Sequence, residues 1–180
     1  MPEDKLVATA LGVIRDLLPR SMEAERGAAL LYQVKVNNRL DVTVNPKAPT
    51  RGQSAFQTDI CVFERIAANI RIPRVVLEFK PGLSTHDILT YSTKASKHKQ
   101  VYPYLRYGLL ASRERYLTGK FFTHNEGLDF CLATEGLSRA SLRALLKSVL
   151  KKELSASRRL ELLAFSESRA RLYRTDVVFE

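Results

Sequence analysis

"RVVLEFKPG" occupies residues 74–82. An apolar run, Val75, Val76 and Leu77, leads straight into Glu78, Phe79 and Lys80, and Pro81-Gly82 stops it. A short apolar run bounded by turn residues reads as a strand in the middle of its sheet. Side chains two apart on a strand share a face. Glu78 and Lys80 therefore lie together, while Val75, Leu77 and Phe79 pack on the other side. A plain surface salt bridge at a strand end would be worth only ~0–1 kcal/mol. A strand this apolar predicts burial instead, where an unpaired charge is expensive.

Upstream, AFQTDICVF (55–63) alternates and reads as a second strand, with Gln57, Asp59, Cys61 and Phe63 on one face. ERIAANIRIP between the two reads as a hairpin-like connection. Pairing the two polar faces brings Asp59, Glu78 and Lys80 together. Two hard carboxylates suit Mg²⁺, which prefers oxygen ligands and keeps several waters, and the backbone carbonyl of Phe79 is a further candidate oxygen. An acid-x-Lys tripeptide alone is a weak signal, since a chain of this composition holds about one by chance. Glu3-Asp4-Lys5 is a second example, at a terminus and without a strand. Context separates the two.

The rest of the chain supplies the layers around this pair. Residues 4–18 carry apolar residues at helical spacing and end at Pro19. Ser21 predicts a helix cap with Glu23 and Glu25 in the first turn, where the helix dipole favours acids. That helix, or a strand grown from it, would cover LLYQVKVNN, and NPKAPTRGQS (45–54) is loop by composition. Ser84 and Asp87 form a capping box for a helix running to about Pro103. LRYGLLAS reads as a strand and FFTHNEGLDFCLAT as a strand pair around Asn125-Glu126-Gly127. Residues 138–173 read as helix in two pieces, and TDVVFE as a last strand. The order predicts an α/β sheet of mixed strand direction flanked by helices.

Composition bounds the function. A length of 180 residues predicts one domain with a real core, and 45% hydrophobic with 27% charged residues is ordinary for a globular chain. No apolar run approaches the ~20 residues of a membrane span. Acids near the start argue against a signal peptide, so a cytoplasmic protein is expected. Cys61 and Cys131 lie in apolar runs and read as buried small residues; His86, His98 and His124 do not join them in a zinc pattern. A net charge of +10 favours a polyanionic partner, nucleic acid first, and no helix has the face pattern of a membrane-surface binder.

"TD" at 58–59, then "EFK" at 78–80, then a helix, together resemble the PD-(D/E)XK nuclease superfamily. Gln100-Val-Tyr-Pro-Tyr104 is similar to the Q-x-x-x-Y motif that a subset of the superfamily carries on the next helix. The resemblance covers residues 21–133, with Thr58 where the pattern has proline, and Pro103 interrupts the Q-x-x-x-Y segment. It implies a restriction-endonuclease-like fold and Mg²⁺-dependent hydrolysis of DNA phosphodiester bonds, with Mn²⁺ as a substitute metal. Asp59 and Glu78 would bind metal, with an acid from the first core element, Glu23 or Glu25, beside them. Lys80 would orient or help deprotonate the attacking water and stabilise the transition state's charge, Gln100 would steady a metal-site ligand or the DNA backbone, and Tyr104 would contact phosphate or base.

Lys94, Lys97 and Lys99, with His98, cluster on the helix after the pair, and Arg113 and Arg115 flank a later loop. Each is a candidate for tracking a DNA backbone, against the plainer reading of a solvated face. Two strands to cut make a homodimer, or a partner protein that supplies specificity, compatible with the small size. The alternative is a catalytically silent nucleic-acid-binding domain of the same fold, and cleavage of RNA is a third reading.

Overall fold

The computed structural model describes residues 3–172. Its elements in chain order are α1 (Glu3–Leu17), β1 (Met22–Arg26), β2 (Ala29–Leu31), β3 (Ala55–Gln57), β4 (Ile60–Ala67), β5 (Ile70–Lys80), α2 (Thr85–Val101), β6 (Arg106–Ala111), α3 (Gly119–His124), β7 (Phe130–Ala133) and α4 (Arg139–Phe165). The main sheet has the order β1-β4-β5-β6-β7, and β2 pairs with β3 in a small second sheet. β1, β4 and β5 are antiparallel, and β6 and β7 join β5 in parallel. The chain is thus α/β with a mixed five-stranded sheet, and the Glu78 strand is its centre.

That centrality explains the apolar run. Val75, Leu77 and Phe79 pack on one face with Ile60 and Val62, under α1 and the Leu142, Leu146 and Leu150 stripe of α4. Val76 packs on the other with Cys61, Tyr107 and Leu109, under α2. The last residues of β5 on this second face are Glu78 and Lys80. Every strand face needs a cover, and here the cover leaves a cleft.

α2 begins as its sequence predicts. Ser84 Oγ accepts from the Asp87 N–H while the Asp87 carboxylate accepts from the Ser84 N–H. Ile88, Ser92, Ala95 and His98 form its buried stripe. Its position is pinned by an unusually close approach: a Cβ on Gly127 would stand 2.1 Å from the Ser92 carbonyl oxygen and 2.3 Å from Ser96 Oγ. The Ser92 hydroxyl also accepts from the N–H groups of Glu126 and Gly127. Gly127→Ala is therefore expected to destabilise the fold by about 3 kcal/mol, since helix backbone cannot yield as a side chain can. Urea unfolding would check this, and a loss below ~1 kcal/mol would show that the loop yields instead.

Several expectations are corrected. The segment after Ser21 is not a helix but strand β1, an edge strand whose Met22 and Ala24 point into the core and whose Glu23 and Glu25 point to the other face. AFQTDICVF is not one strand: β3 ends at Gln57 in the small sheet and β4 begins at Ile60 in the large one, so Thr58 and Asp59 sit at the crossing. The first half of FFTHNEGLDFCLAT is the short helix α3, not a strand. The C-terminal helical region is one helix of 27 residues. The expected TDVVFE strand, and Tyr173, lie outside the described residues. Among those residues no helix is long and apolar enough to cross a membrane.

Candidate active site at the end of the central strand

Asp59 and Glu78 lock together through backbone as well as side chain. The Asp59 N–H donates to Glu78 Oε2 at 3.3 Å, and the Phe79 N–H donates to Asp59 Oδ2 at 2.8 Å. Successive residues of a strand turn their backbone groups to opposite edges. The Lys80 carbonyl accepts from Ser112 N–H at 2.9 Å on the β6 edge. The Phe79 carbonyl is thereby directed to the edge where Asp59 lies. The two carboxylates meet there, with the Phe79 carbonyl on the same edge of the strand. Lys80 and Tyr91 line the same cleft, of about 700 Å³, together with Arg26, Arg51 and Lys94.

Glu78 is buried, and burial is the main reason its carboxyl is held above its ordinary value, with the charge of Asp59 adding to the shift. Lys94 opposes it. Its ammonium lies 2.6 Å from Glu78 Oε1 and 2.7 Å from the Gln57 carbonyl oxygen. The Tyr107 hydroxyl donates to the same Oε1. Burial, then the neighbouring Glu78 charge, keeps that hydroxyl protonated well above its ordinary range. Tyr91, pushed up to about 12 by burial first and Glu78 second, hydrogen-bonds Lys80. The Lys80 and Lys94 ammonium groups lie 5.7 and 5.8 Å from the centre of its ring, one from each flank of the site. Behind them His98 stacks on Tyr107 at 5.6 Å and bonds the Leu31 carbonyl through Nδ1. Burial lowers its pKa to about 4, so the ring is neutral and Nδ1 carries the proton.

The expected residues divide clearly. Asp59, Glu78 and Lys80 come together in one cleft, with the Phe79 backbone between them. Glu23 and Glu25 do not join them. β1 places them opposite Phe63 and Cys61, where Arg71 bonds both and Arg65 bonds Glu23, beside a separate hollow of about 450 Å³. Gln100 is exposed near the far end of α2. Tyr104 lies beyond that helix, its ring 5.4 Å from the Arg74 guanidinium and 6.2 Å from the Phe165 ring. Arg74 is four residues from Glu78, about 13 Å along β5. Pro103 and the end of α2 at Val101 explain the failure of the Q-x-x-x-Y reading: the two residues occupy no common helical face.

The basic cluster on α2 also separates. Lys94 belongs to the site, Lys97 is exposed, and His98 is buried. Lys99 is 2.7 Å from both Asp129 Oδ1 and the Gly127 carbonyl, so it holds the fold together and is not available to a DNA backbone. Arg113 and Arg115 stay exposed on the loop after β6, which is tied to the end of β5 through the Pro81 carbonyl. Tyr91 and Tyr107 escaped the sequence reading. Their signals were modest: Tyr91 and Lys94 are one helical turn apart, and Tyr107 alternates in phase with Leu109 and Ala111.

Asp59 and Glu78 offer the kind of oxygen donor that Mg²⁺ prefers. Both carboxylates and a carbonyl are hard oxygens, and Mg²⁺ needs only one or two carboxylates because it retains water. Among the described residues no group of three or more His, Cys, Asp and Glu that could hold a metal ion is present, and this cleft offers two carboxylates. No protein-family model matches the chain. No curated protein matches it either.

Proposed function

We propose that this chain is a Mg²⁺-dependent deoxyribonuclease with a restriction-endonuclease-like fold. One observation carries the reading: Asp59 and Glu78 are bonded to each other at the end of the central strand, with Lys80 in the same cleft. The charge of +10 and the cations at the cleft rim agree with a polyanionic substrate.

Asp59, Glu78 and the Phe79 carbonyl would hold the ion. Bound there, Mg²⁺ supplies a water of lowered pKa and neutralises charge on the scissile phosphate. The Phe79 N–H fixes the Asp59 carboxylate, and Tyr107 and Lys94 fix that of Glu78. Lys80 lies where an ammonium can orient the attacking water and stabilise charge developing on phosphate. Tyr91 steadies it and remains a protonated donor at neutral pH, its value being about 12.

A second reading has its own support. Both Glu78 oxygens already accept from protein donors, as they would in a silent nucleic-acid-binding domain that uses the pair for structure. Incubation of plasmid with the protein separates the two. Nicked or linear product in Mg²⁺ or Mn²⁺, absent in EDTA, is the expected outcome. Retained DNA binding with no cleavage in either metal overturns the hydrolytic reading. A parallel RNA substrate decides the nucleic acid, and sedimentation with DNA decides whether two copies act on the two strands.

A further inference from the structure

Between β2 and β3 the chain leaves the body of the protein for some twenty residues and returns to it. The excursion closes at its base where the Tyr32 N–H donates to the Ser54 carbonyl at 2.9 Å. It is a hairpin-like arm: Val36 bridges Val42, and the Thr43 N–H donates to the Lys35 carbonyl at 2.9 Å. Its tip is specifically built. Asn37 Oδ1 accepts from the N–H groups of Arg39 (2.8 Å) and Asp41 (3.0 Å), while the Leu40 N–H donates to the Asn37 carbonyl at 3.0 Å.

Those bonds hold Leu40 at φ 65°. That is the left-handed region, unfavourable for a branched side chain. The same bonds leave Leu40 85% exposed in the turn. Val34, Val36 and Val42 are each more than half exposed along the arm. Val44 packs against the core, whereas Val34, Val36, Leu40 and Val42 bury little on folding. Lys35, Arg39, Lys47 and Arg51 accompany these apolar residues, against the single acid Asp41. The arm is also continuous with the site: Tyr32, Arg51 and Gly52 line the cleft of Asp59 and Glu78, and Arg51 bonds the Gln57 side chain at 3.2 Å.

We infer that this arm is a groove-reading ribbon for double-stranded DNA, with Leu40 as its apolar tip against the bases. A two-stranded ribbon fits a duplex groove. Cations along such a ribbon meet phosphates, and an apolar wedge at a base step is a recurring device of groove binders. The charge complementarity favours nucleic acid over another protein as occupant. The inference rests on the proposed deoxyribonuclease function and narrows its substrate to duplex.

The test is fluorescence anisotropy of a labelled duplex in EDTA, so that binding is read without cleavage. Leu40→Asn is the chosen tip variant, because asparagine tolerates positive φ and keeps the turn folded. It is expected to bind about 10-fold more weakly, with an unchanged salt slope and an unchanged or raised melting temperature. Lys35→Ala with Arg39→Ala is expected to flatten the slope of log K against log salt by about 2. Hydrolysis of bis(p-nitrophenyl) phosphate with Mn²⁺ reads the site alone and is expected to be unaffected in both. If the unaltered protein fails to hydrolyse that ester or DNA, the proposed function falls, while the anisotropy result still decides the arm. Unchanged duplex affinity in both arm variants overturns the inference. So does a lowered sedimentation coefficient with unchanged affinity, which would assign the arm to contact with a second copy.

Discussion

If the chain is the proposed nuclease, replacing Glu78 by glutamine lowers Mg²⁺-dependent DNA cleavage by ~10³-fold or more, because a neutral amide cannot supply the charge that would hold a metal there. The same change is expected to leave the protein at least as stable at neutral pH in EDTA. Glutamine keeps the shape and an acceptor for Lys94 and Tyr107 but removes a buried charge. The sign follows from the carboxyl's displacement. In the folded chain burial holds it above its ordinary value of 4.5. A group displaced upward binds its proton more readily in the folded state. Its contribution to stability is thus complete below about pH 4.5 and is lost as pH rises through the higher folded value. Unfolding in urea at pH 5 and pH 8 checks this. The difference in stability between variant and parent should favour the variant more at pH 8 than at pH 5. Cleavage within tenfold of the parent would remove Glu78 from any metal role. A marked loss of stability at pH 8 would mean that its ionic and hydrogen bonds outweigh its desolvation.

The parts of the fold that local chemistry decides were legible before any coordinates. The strand under Glu78 announces itself by three apolar residues and a Pro-Gly stop, and α2 by Ser84 and Asp87. Asp59 is matched to Glu78 by extending a strand's alternation through a residue that lies between β3 and β4. What escaped depends on partners distant in the chain. β1 has a strand's alternation, yet Ser21, Glu23 and Glu25 also match a helix start. The choice falls to strand because β4 offers a pairing edge and Arg65 and Arg71 satisfy the two acids. Phe121 and Phe122 favour a strand by propensity, but the burial of Phe121 in the core beneath a six-residue helix overrides it. Lys94 and Lys99 look alike in sequence. One meets Glu78 and the other Asp129, and no local pattern distinguishes them.

That difference makes the two cleft lysines separable by experiment. Under the proposed function Lys80→Met is expected to lower turnover by ~10²–10³-fold, by removing the ammonium that would face the reacting phosphate, with stability changed by no more than ~0.5 kcal/mol. Lys94→Met is expected to act on the fold as well. Its side chain is 18% exposed and that of Glu78 2%, so the pair is shielded from water. Removing Lys94 leaves the more deeply buried Glu78 carboxylate uncompensated, at a cost of up to about 3–5 kcal/mol, whereas Glu78→Gln leaves the Lys94 ammonium its bond to the Gln57 carbonyl and an amide oxygen. Glu78 can escape part of that cost by taking up a proton, because Lys94 is one of the groups holding its carboxyl down. The loss should therefore be greater at pH 8 than at pH 5. The double variant Lys94→Met with Glu78→Gln completes the cycle, and it should recover much of the stability lost by Lys94→Met alone, since no charge then remains to be compensated. Denaturant midpoints for the four proteins measure the coupling directly. If Lys94→Met unfolds no more easily than the parent at either pH, the Glu78–Lys94 contact is not a structural pair, and Lys94 acts only in substrate or metal binding.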